Sequence, residues 1–199
     1  MIIEISFVHW LVVLSVLVSL AGATAYIRDT IRGKTKPNRV TWFMWALAPL
    51  VGTVAALSAH ADPWATSRIF LAGFIPLIVF VSSFFNPKSY WKLAIFDILC
   101  GVCSLLAFAL WLGIDSPRIA ILLAALGDGL AALPTIRKAW VNPETETGLT
   151  YIASLVAVLL VLPSIPVWNI ENSAFQICLL IVNVLLIFSV YRKRIGKRL

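Results

Sequence analysis

Residues 27–46 read IRDTIRGKTKPNRVTWFMWA and join two apolar runs through five basic residues and a proline. A weaker copy, IRKAWVNPETETGLTYIASL, occupies residues 136–155. In both, an Ile-Arg pair leaves an apolar segment, a polar connection with proline follows, and Thr plus an aromatic residue opens the next segment. Three matched positions have one offset, since 136 − 27, 137 − 28 and 150 − 41 all equal 109. This spacing predicts two related halves with an unmatched segment between them.

The composition indicates an integral membrane protein. Of the 199 residues, 61% are hydrophobic and 13% are charged, and the mean hydropathy is +0.96. A soluble domain of this length needs far more polar surface. The net charge of +7 arises from basic residues beside apolar segments, where orientation in the bilayer and contact with anionic lipid explain them. We therefore expect the lipid bilayer, and no nucleic acid, as a partner.

Seven apolar segments approach the roughly 20 residues that a helix needs to cross a bilayer. They are about 5–27, 40–59, 67–85, 92–113, 117–139, 148–165 and 173–191. The alternating pattern of a membrane β-barrel is missing from the sequence, so the predicted fold is all-α. Because the connections are short, we expect successive helices to be antiparallel neighbours.

The positive charges predict which side each end faces. With the N-terminus outside and the C-terminus inside, 14 of the 16 Lys and Arg residues lie on the inner side, as the positive-inside rule requires. Most tryptophans fall at predicted helix ends, where indole rings anchor at the interface; Trp42 is one of these. Trp45 lies one turn deeper, as either an anchor or an aromatic wall of a binding pocket.

The offset of 109 divides the chain into three parts. Residues 1–87 form a first three-helix repeat, 88–115 a linker helix, and 116–199 a second three-helix repeat with a basic tail. The linker helix restores the starting side, so the two repeats are parallel and related by an axis along the membrane normal. The alternative is chance similarity between apolar helices.

Two motifs carry a resemblance to a known family. Residues 133–140, LPTIRKAW, and 146–151, ETGLTY, are similar to a PQ-loop, in which Pro-Gln ends a helix, a short basic loop follows and a Gly-Leu-Ser-like turn opens the next helix. Thr135 stands in place of the glutamine, and Ala25-Tyr26 replaces Pro-Gln in the first half, where residues 33–42 read GKTKPNRVTW. With its 3+1+3 arrangement the chain resembles a bacterial offshoot of the SWEET and PQ-loop transporter superfamily.

The resemblance implies a pocket between the two repeats near the bilayer centre, opened alternately to each side by rocking of the halves. It also implies a bacterial cytoplasmic (inner) membrane as the location. Prolines inside the predicted segments would be the hinges, because each removes a backbone hydrogen bond and kinks its helix. These are Pro49, Pro76, Pro134 and Pro163. Pro163 has the alternative role of terminating helix 6.

Asp128 is the most informative single residue. It lies ten residues before Lys138 and eleven after Pro117, so it is about 15 Å from either end of helix 5 and cannot reach water by extending its side chain. A carboxyl group at that depth is tolerated if it faces a polar cavity, pairs with a donor or carries a proton. Gly127 and Gly129 leave room for a substrate or another helix. The alternative to a transport role is a structural contact between helices.

Other polar residues extend the predicted substrate site. Asn183 is also near mid-membrane, eight residues from both Phe175 and Tyr191, and its amide suits a neutral polar solute. The resemblance implies the same, since SWEET relatives are similar in having an asparagine on this helix; a contact between helices is the alternative. Trp45 joins the site as an aromatic wall, and Ser19 and Ser154 join it as the repeat partners of Asp128 and Trp45; a contact between helices is the alternative for the two serines. Asp97, near the inner interface, is interpreted as structural.

The predicted function is a carrier of a small polar solute, such as a sugar, an amino acid or a vitamin-like molecule, with proton coupling as an option. The sequence contains none of the common hydrolase, zincin or P-loop motifs, so no catalytic residue, metal or cofactor is predicted. The alternative is a non-transporting scaffold or receptor on the same bundle. A homo-oligomer is compatible with the sequence.

Overall fold

The computed structural model describes residues 7–58, 63–165 and 167–195, which form seven α-helices and no strand. The helices are α1 (Phe7–Ile31), α2 (Arg39–Ser58), α3 (Pro63–Ser82), α4 (Ile95–Leu112), α5 (Pro117–Val141), α6 (Gly148–Val161) and α7 (Ile170–Ile195). Each coincides with one predicted segment to within a few residues. The all-α prediction is therefore confirmed for the described residues.

Four helices are long and apolar enough to cross a membrane: the spans are Trp10–Ile31, Ile95–Leu112, Arg118–Val141 and Ile170–Lys193. Two shorter apolar helical stretches are Ile69–Ser82 and Gly148–Ser164. With 14 residues, α6 is about 21 Å long, less than the hydrocarbon thickness of about 30 Å. The length and composition of the four long helices thus agree with a membrane protein.

The order of helices along the chain is not their order in the bundle. The pairs α2–α3, α4–α5 and α6–α7 pack together, whereas α1 packs mainly on α6, and α5 packs on α7 and α2. The expectation that all successive helices are neighbours is wrong for α1–α2, α3–α4 and α5–α6, which have no extensive contact. The first and last of these pairs are separated because their connections, residues 32–38 and 142–147, lie against each other, with the Lys36 N–H donating to the Thr145 carbonyl at 3.0 Å.

The C-terminal ends of α1, α3, α5 and α7 meet at one end of the bundle, which we call the basic face. Asn86 Nδ2 donates to the Ile31 carbonyl at 2.9 Å, joining the ends of α3 and α1. Arg192 Nε donates to the Trp140 carbonyl at 3.0 Å, joining the ends of α7 and α5. Most of the described Lys and Arg residues lie in these ends and their connections. Lys197 and Arg198 of the basic tail lie outside the described residues.

The contact between α1 and α6 depends on one glycine. A Cβ at Gly22 would lie 2.5 Å from Ala153 Cβ, which is shorter than any real contact between carbon atoms. The Thr150 hydroxyl donates to the Gly22 carbonyl at 2.6 Å across the same contact. Small residues at such positions let helix backbones approach closely, as in membrane bundles. This approach brings one helix from each predicted half into direct contact.

The outward faces of the helices are apolar. On α4, for example, the exposed residues include Ile95, Leu99, Leu106 and Leu110. The interior carries many small polar residues, among them Ser104, Thr135 and Asn183. A continuous apolar exterior of this size is unusual for a soluble monomer and is the surface that lipid would cover.

Candidate functional site

A cavity of about 560 Å³ lies in the middle of the bundle. Helices from both ends of the chain line it: α1, α2 and α3 on one side, and α5, α6 and α7 on the other. All five side chains predicted from the sequence as the substrate site lie on its wall: Asp128, Asn183, Trp45, Ser154 and Ser19. Its volume falls within the range of about 300–1,000 Å³ usual for small-molecule sites.

Asp128 contributes a carboxyl group to the wall. Its Oδ2 atom is buried and has no hydrogen-bond partner among the described residues. Its backbone carbonyl accepts a hydrogen bond from Trp45 Nε1 at 3.3 Å, which ties α2 to α5 beside the cavity. Buried polar atoms in proteins are nearly always paired. A buried, unpaired carboxylate oxygen beside a cavity therefore points to a ligand, a proton or water as its partner.

The two glycines beside Asp128 serve helix packing. A Cβ at Gly127 would lie 3.4 Å from the Ser104 carbonyl of α4, and one at Gly129 would lie 3.6 Å from Cys178 Sγ of α7. The Ser104 hydroxyl also donates to the Gly127 carbonyl at 2.6 Å. Both glycines therefore let other helices approach, and Gly127 also lines a second cavity beside Asp128. That packing fixes the rotation of α5 and thus the direction of Asp128.

The remaining predicted residues surround the same space. Asn183 is buried, and its Nδ2 donates to the Leu179 carbonyl one turn earlier, at 2.8 Å. Ser19 on α1 and Ser154 on α6 are half-buried. Phe74, the repeat counterpart of Asn183, instead stacks on Phe70 with ring centroids 5.0 Å apart and is partly exposed. The wall is therefore asymmetric at this pair of positions.

Two of the four predicted hinge prolines lie on the cavity wall. Pro49 is inside α2 and Pro76 is inside α3. Because proline has no N–H, the carbonyls four residues earlier lack their usual helical donor. Pro134 is fully buried inside α5, which continues to Val141. Pro163 lies in the 3-10 turn that follows α6, in accordance with the terminating role.

Aromatic rings around one carboxylate lie between the cavity and the basic face. The hydroxyls of Tyr26 and Tyr151 both donate to Glu146 Oε2, at 2.8 and 2.7 Å. Trp42 Nε1 donates to the Tyr26 oxygen at 3.3 Å, and the rings of Trp42 and Tyr26 are 4.8 Å apart. All four residues are buried. Each half supplies two of them, so this cluster joins the halves.

A buried ion pair completes the cluster. Lys138 Nζ lies 2.5 Å from Glu146 Oε1, and the two side chains are 1% and 0% exposed. The same ammonium group donates to the Lys36 carbonyl in the first half. The sequence assigned Lys138 to orientation in the membrane. That interpretation is incomplete, because a side chain this deeply buried pairs with protein groups and not with lipid.

Further hydrogen bonds between the halves lie beside this pair. The hydroxyls of Thr35 and Thr147 are 2.5 Å apart, and Thr147 donates to Asp29 Oδ2 at 3.1 Å. Closer to the cavity, Thr135 donates to the Thr41 hydroxyl at 2.9 Å, and both residues are fully buried. We call these bonds, together with the Tyr26, Trp42, Lys138, Glu146 and Tyr151 cluster, the basic-face latch.

Sequence reasoning missed most of the latch and part of the cavity. Ser15, Trp42, Thr150, Tyr151 and Gln176 also line the cavity. The prediction that Trp42 anchors at the interface is wrong, since it is 4% exposed. Glu146 was a signal for the latch in the sequence, because it is an acidic residue in a connection that comes directly after basic residues. Asp97 accepts the Ala94 N–H at 2.8 Å, which is the structural role predicted for it.

Among residues 7–58, 63–165 and 167–195, no group of three or more His, Cys, Asp or Glu side chains could hold a metal ion. Comparison of the chain with protein-family models, with curated proteins and with solved structures finds no match.

Proposed function

We propose that this protein is a membrane transporter of the SWEET and PQ-loop type that moves a small solute by alternating access. One observation carries the proposal: a cavity in contact with both Asp128 and Asn183 lies between the two halves and is closed at the basic face by contacts that join those halves. A scaffold without transport has no need of such a space, since packed side chains fill the interiors of proteins. In this reading the described state is closed toward the basic face.

The exposed faces of the helices support seven membrane crossings. Besides the four long apolar helices, α2, α3 and α6 also expose large apolar side chains, such as Val54, Val81 and Leu159. Water around them would be costly, whereas lipid is not. With the basic face in the cytoplasm, the positive-inside rule places the N-terminus outside. A bacterial inner membrane is the proposed location.

The helix contacts support the division into repeats at residues 1–87 and 116–199. Exchanging α1, α2 and α3 with α5, α6 and α7 converts the α1–α3 contact into α5–α7, and the α2–α3 contact into α6–α7. It also converts α1–α6 into α5–α2. The helix α4 packs on α5 and α2 and has no counterpart. Such symmetry is the usual basis of rocking in transporters with internal repeats.

Opening toward the basic face requires the latch to separate. Glu146 must leave Tyr26, and Lys138 must leave the Lys36 carbonyl, because each of these contacts joins the two halves. The solute site at Asp128 does not take part in these bonds. Pro49 and Pro76, on the wall of the cavity, interrupt two helices of the first half and supply flexible points near the site.

Alternating access can be tested without a known solute. In a background without Cys100, Cys103 and Cys178, the variants Ser19→Cys and Ser154→Cys each place one thiol on the cavity wall. In oriented proteoliposomes, a membrane-impermeant maleimide added on either side should label both thiols, because the cavity opens alternately to the two sides of the membrane. Lys34→Cys, on the exposed connection at the basic face, reports orientation.

Labelling from one side only, at all temperatures at which the protein stays folded, would contradict transport and favour the scaffold or receptor. The order of the rates is also predicted. Because the latch is closed in the described state, labelling from the basic side should be the slower of the two.

A further inference from the structure

The cavity wall has a one-sided charge. Asp128 is the single charged side chain among the described residues that line it. The buried cation Lys138 is paired with Glu146 in the latch, and Arg39 donates to the hydroxyl and carbonyl of Ser83, just after α3. An anionic solute would meet a carboxylate with no compensating positive side chain. The wall therefore selects against anions and favours a cation or a neutral donor.

Asp97 and Glu146 are buried and Asp128 is half-buried, and these three carboxyl groups differ in their partners. Asp97 accepts the Ala94 N–H, and Glu146 accepts two tyrosine hydroxyls and lies against an ammonium group. Asp128 Oδ2 has no partner within the described part of the chain. A carboxylate left alone in an apolar interior is strongly unfavourable, and a protonated amine is the partner that compensates it best.

A second cavity of about 290 Å³ adjoins the first and lies between α2, α3, α4, α5 and α7. Asp128 lines both cavities, so it stands where they meet. The second wall is almost entirely apolar, with Phe108, Trp111, Ile121 and Phe175 among its residues. The hydroxyl of Ser104 on this wall is already used, since it donates to the Gly127 carbonyl.

This wall suits an apolar group and not a sugar. A sugar presents hydroxyls in every direction, and each one buried without a partner is costly. The second cavity offers few polar atoms beyond Asp128. Aromatic side chains there, such as Phe108 and Trp111 with rings 5.5 Å apart, are typical of sites for apolar or aromatic groups. Trp42 and Trp45 line the main cavity, and aromatic rings of this kind attract cations.

We propose that the solute is an amphipathic organic amine whose ammonium group pairs with Asp128 while its apolar part occupies the second cavity. This assignment rests on the proposed transport function, because it names the substrate class of the same site. Asn183, Ser154 and Gln176 lie on the main-cavity side of Asp128 and bind any polar substituent of the amine. The polar part of the solute thus lies in the main cavity and the apolar part lies in the second, with the ammonium group where the two cavities meet.

The test compares matched probes on the purified full-length protein. We would measure the fraction that stays monodisperse after heating, as a function of added 2-phenylethylamine, 2-phenylethanol or 3-phenylpropionate. These probes share a phenyl ring and differ in charge, so detergent partitioning of the ring affects all three. The amine should stabilise the protein at concentrations at least tenfold lower than the alcohol. The anion should have no stabilising effect.

Two variants separate the roles of the two cavities. Asp128→Asn keeps the size of the side chain. It should weaken the binding of 2-phenylethylamine by about 10- to 100-fold, the range expected for loss of a charge-assisted hydrogen bond. Ala124 lies on the wall of the second cavity, where a leucine would take up the space of the ring. Ala124→Leu should therefore weaken the binding of 2-phenylethylamine by at least about tenfold, because less of the ring is buried. Methylamine carries the charge but no ring, so its weaker stabilising effect should be the same with and without Ala124→Leu. Glu144→Gln removes an exposed acid and serves as the matched control.

Equal or stronger stabilisation by the alcohol, the anion or glucose would overturn the amine assignment. So would an unchanged amine response in Asp128→Asn. Either result would leave the proposed transport function standing if the thiol at position 19 is labelled from both sides of the membrane. Conversely, amine binding with one-sided labelling would leave the site in place and overturn transport.

Discussion

Replacement of Glu146 by glutamine should open the basic face. The substitution keeps the size of the side chain but removes the charge opposite Lys138, which is 2.5 Å away and almost fully buried. Breaking a buried ion pair by removing one partner costs about 3–5 kcal/mol. The cost falls on the closed state, because Lys138 regains water once the latch separates. At the lower bound of about 3 kcal/mol, the ratio of open to closed molecules rises by roughly 100-fold.

The rate at which a thiol at position 154 reacts from the basic side measures this ratio. Ser154 lies on the cavity wall above Tyr151, so a membrane-impermeant maleimide reaches a thiol there from the basic side after the latch opens. In the cysteine-free background, Ser154→Cys with Glu146→Gln should therefore react roughly 100-fold faster than Ser154→Cys alone. Glu144→Gln, two residues away and exposed, should leave the rate unchanged.

A double-mutant cycle isolates the ion pair from other effects of the substitution. Lys138→Met removes the buried cation, so adding Glu146→Gln to it should increase the labelling rate much less than Glu146→Gln does alone. The reasoning would be refuted if the rate from the basic side stayed the same in a folded Glu146→Gln protein. It would also be refuted if the two substitutions acted independently.

Two further predictions concern the site and the bundle. Asp128→Asn should express normally but lose the dependence of solute uptake on an imposed pH gradient, measured in proteoliposomes with the solute that binds; uptake that keeps this dependence would remove Asp128 from proton coupling. Gly22→Ala should destabilise the protein by about 1–3 kcal/mol through overpacking, because its Cβ would lie 2.5 Å from Ala153 Cβ. Thermal unfolding should show a lower midpoint than for Gly113→Ala, whose Cβ would meet its nearest atom at 3.8 Å; equal midpoints would contradict the close packing of α1 and α6.

The positions of the helices could be predicted because each is a long apolar run bounded by charge, proline or glycine. The end of α1 illustrates this: Gly33 has φ of +74°, a conformation that glycine adopts easily and that commonly ends a helix. The pairing of α1 with α6 could not be predicted, because apolar faces of similar helices fit many partners. The short connections suggested the wrong neighbours, and Gly22 became informative only beside Ala153.

The depth of Asp128 and Asn183 follows from counting residues, since a helix rises by about 1.5 Å per residue. Their presence in one cavity does not follow from counting, because it also requires the rotation of α5 and α7 about their axes. Contacts such as Gly129 with Cys178 set that rotation. The second cavity had no signal in the sequence, since its wall consists of ordinary apolar residues from five helices.

Hydropathy, charge and helical rise are local properties, so the residues alone predict an all-helical chain with a basic end and an isolated carboxyl group. The role of residues 27–46 depends instead on contacts made in the folded chain. As a linear motif they are a cluster of charge beside tryptophans. In the folded chain Thr35 and Trp42 are buried against the second half, and Lys36 accepts a bond from Lys138. The hydrogen-bond partners of Thr35, Lys36 and Thr41 lie more than 90 positions away, so packing between the two predicted halves gives these residues their role.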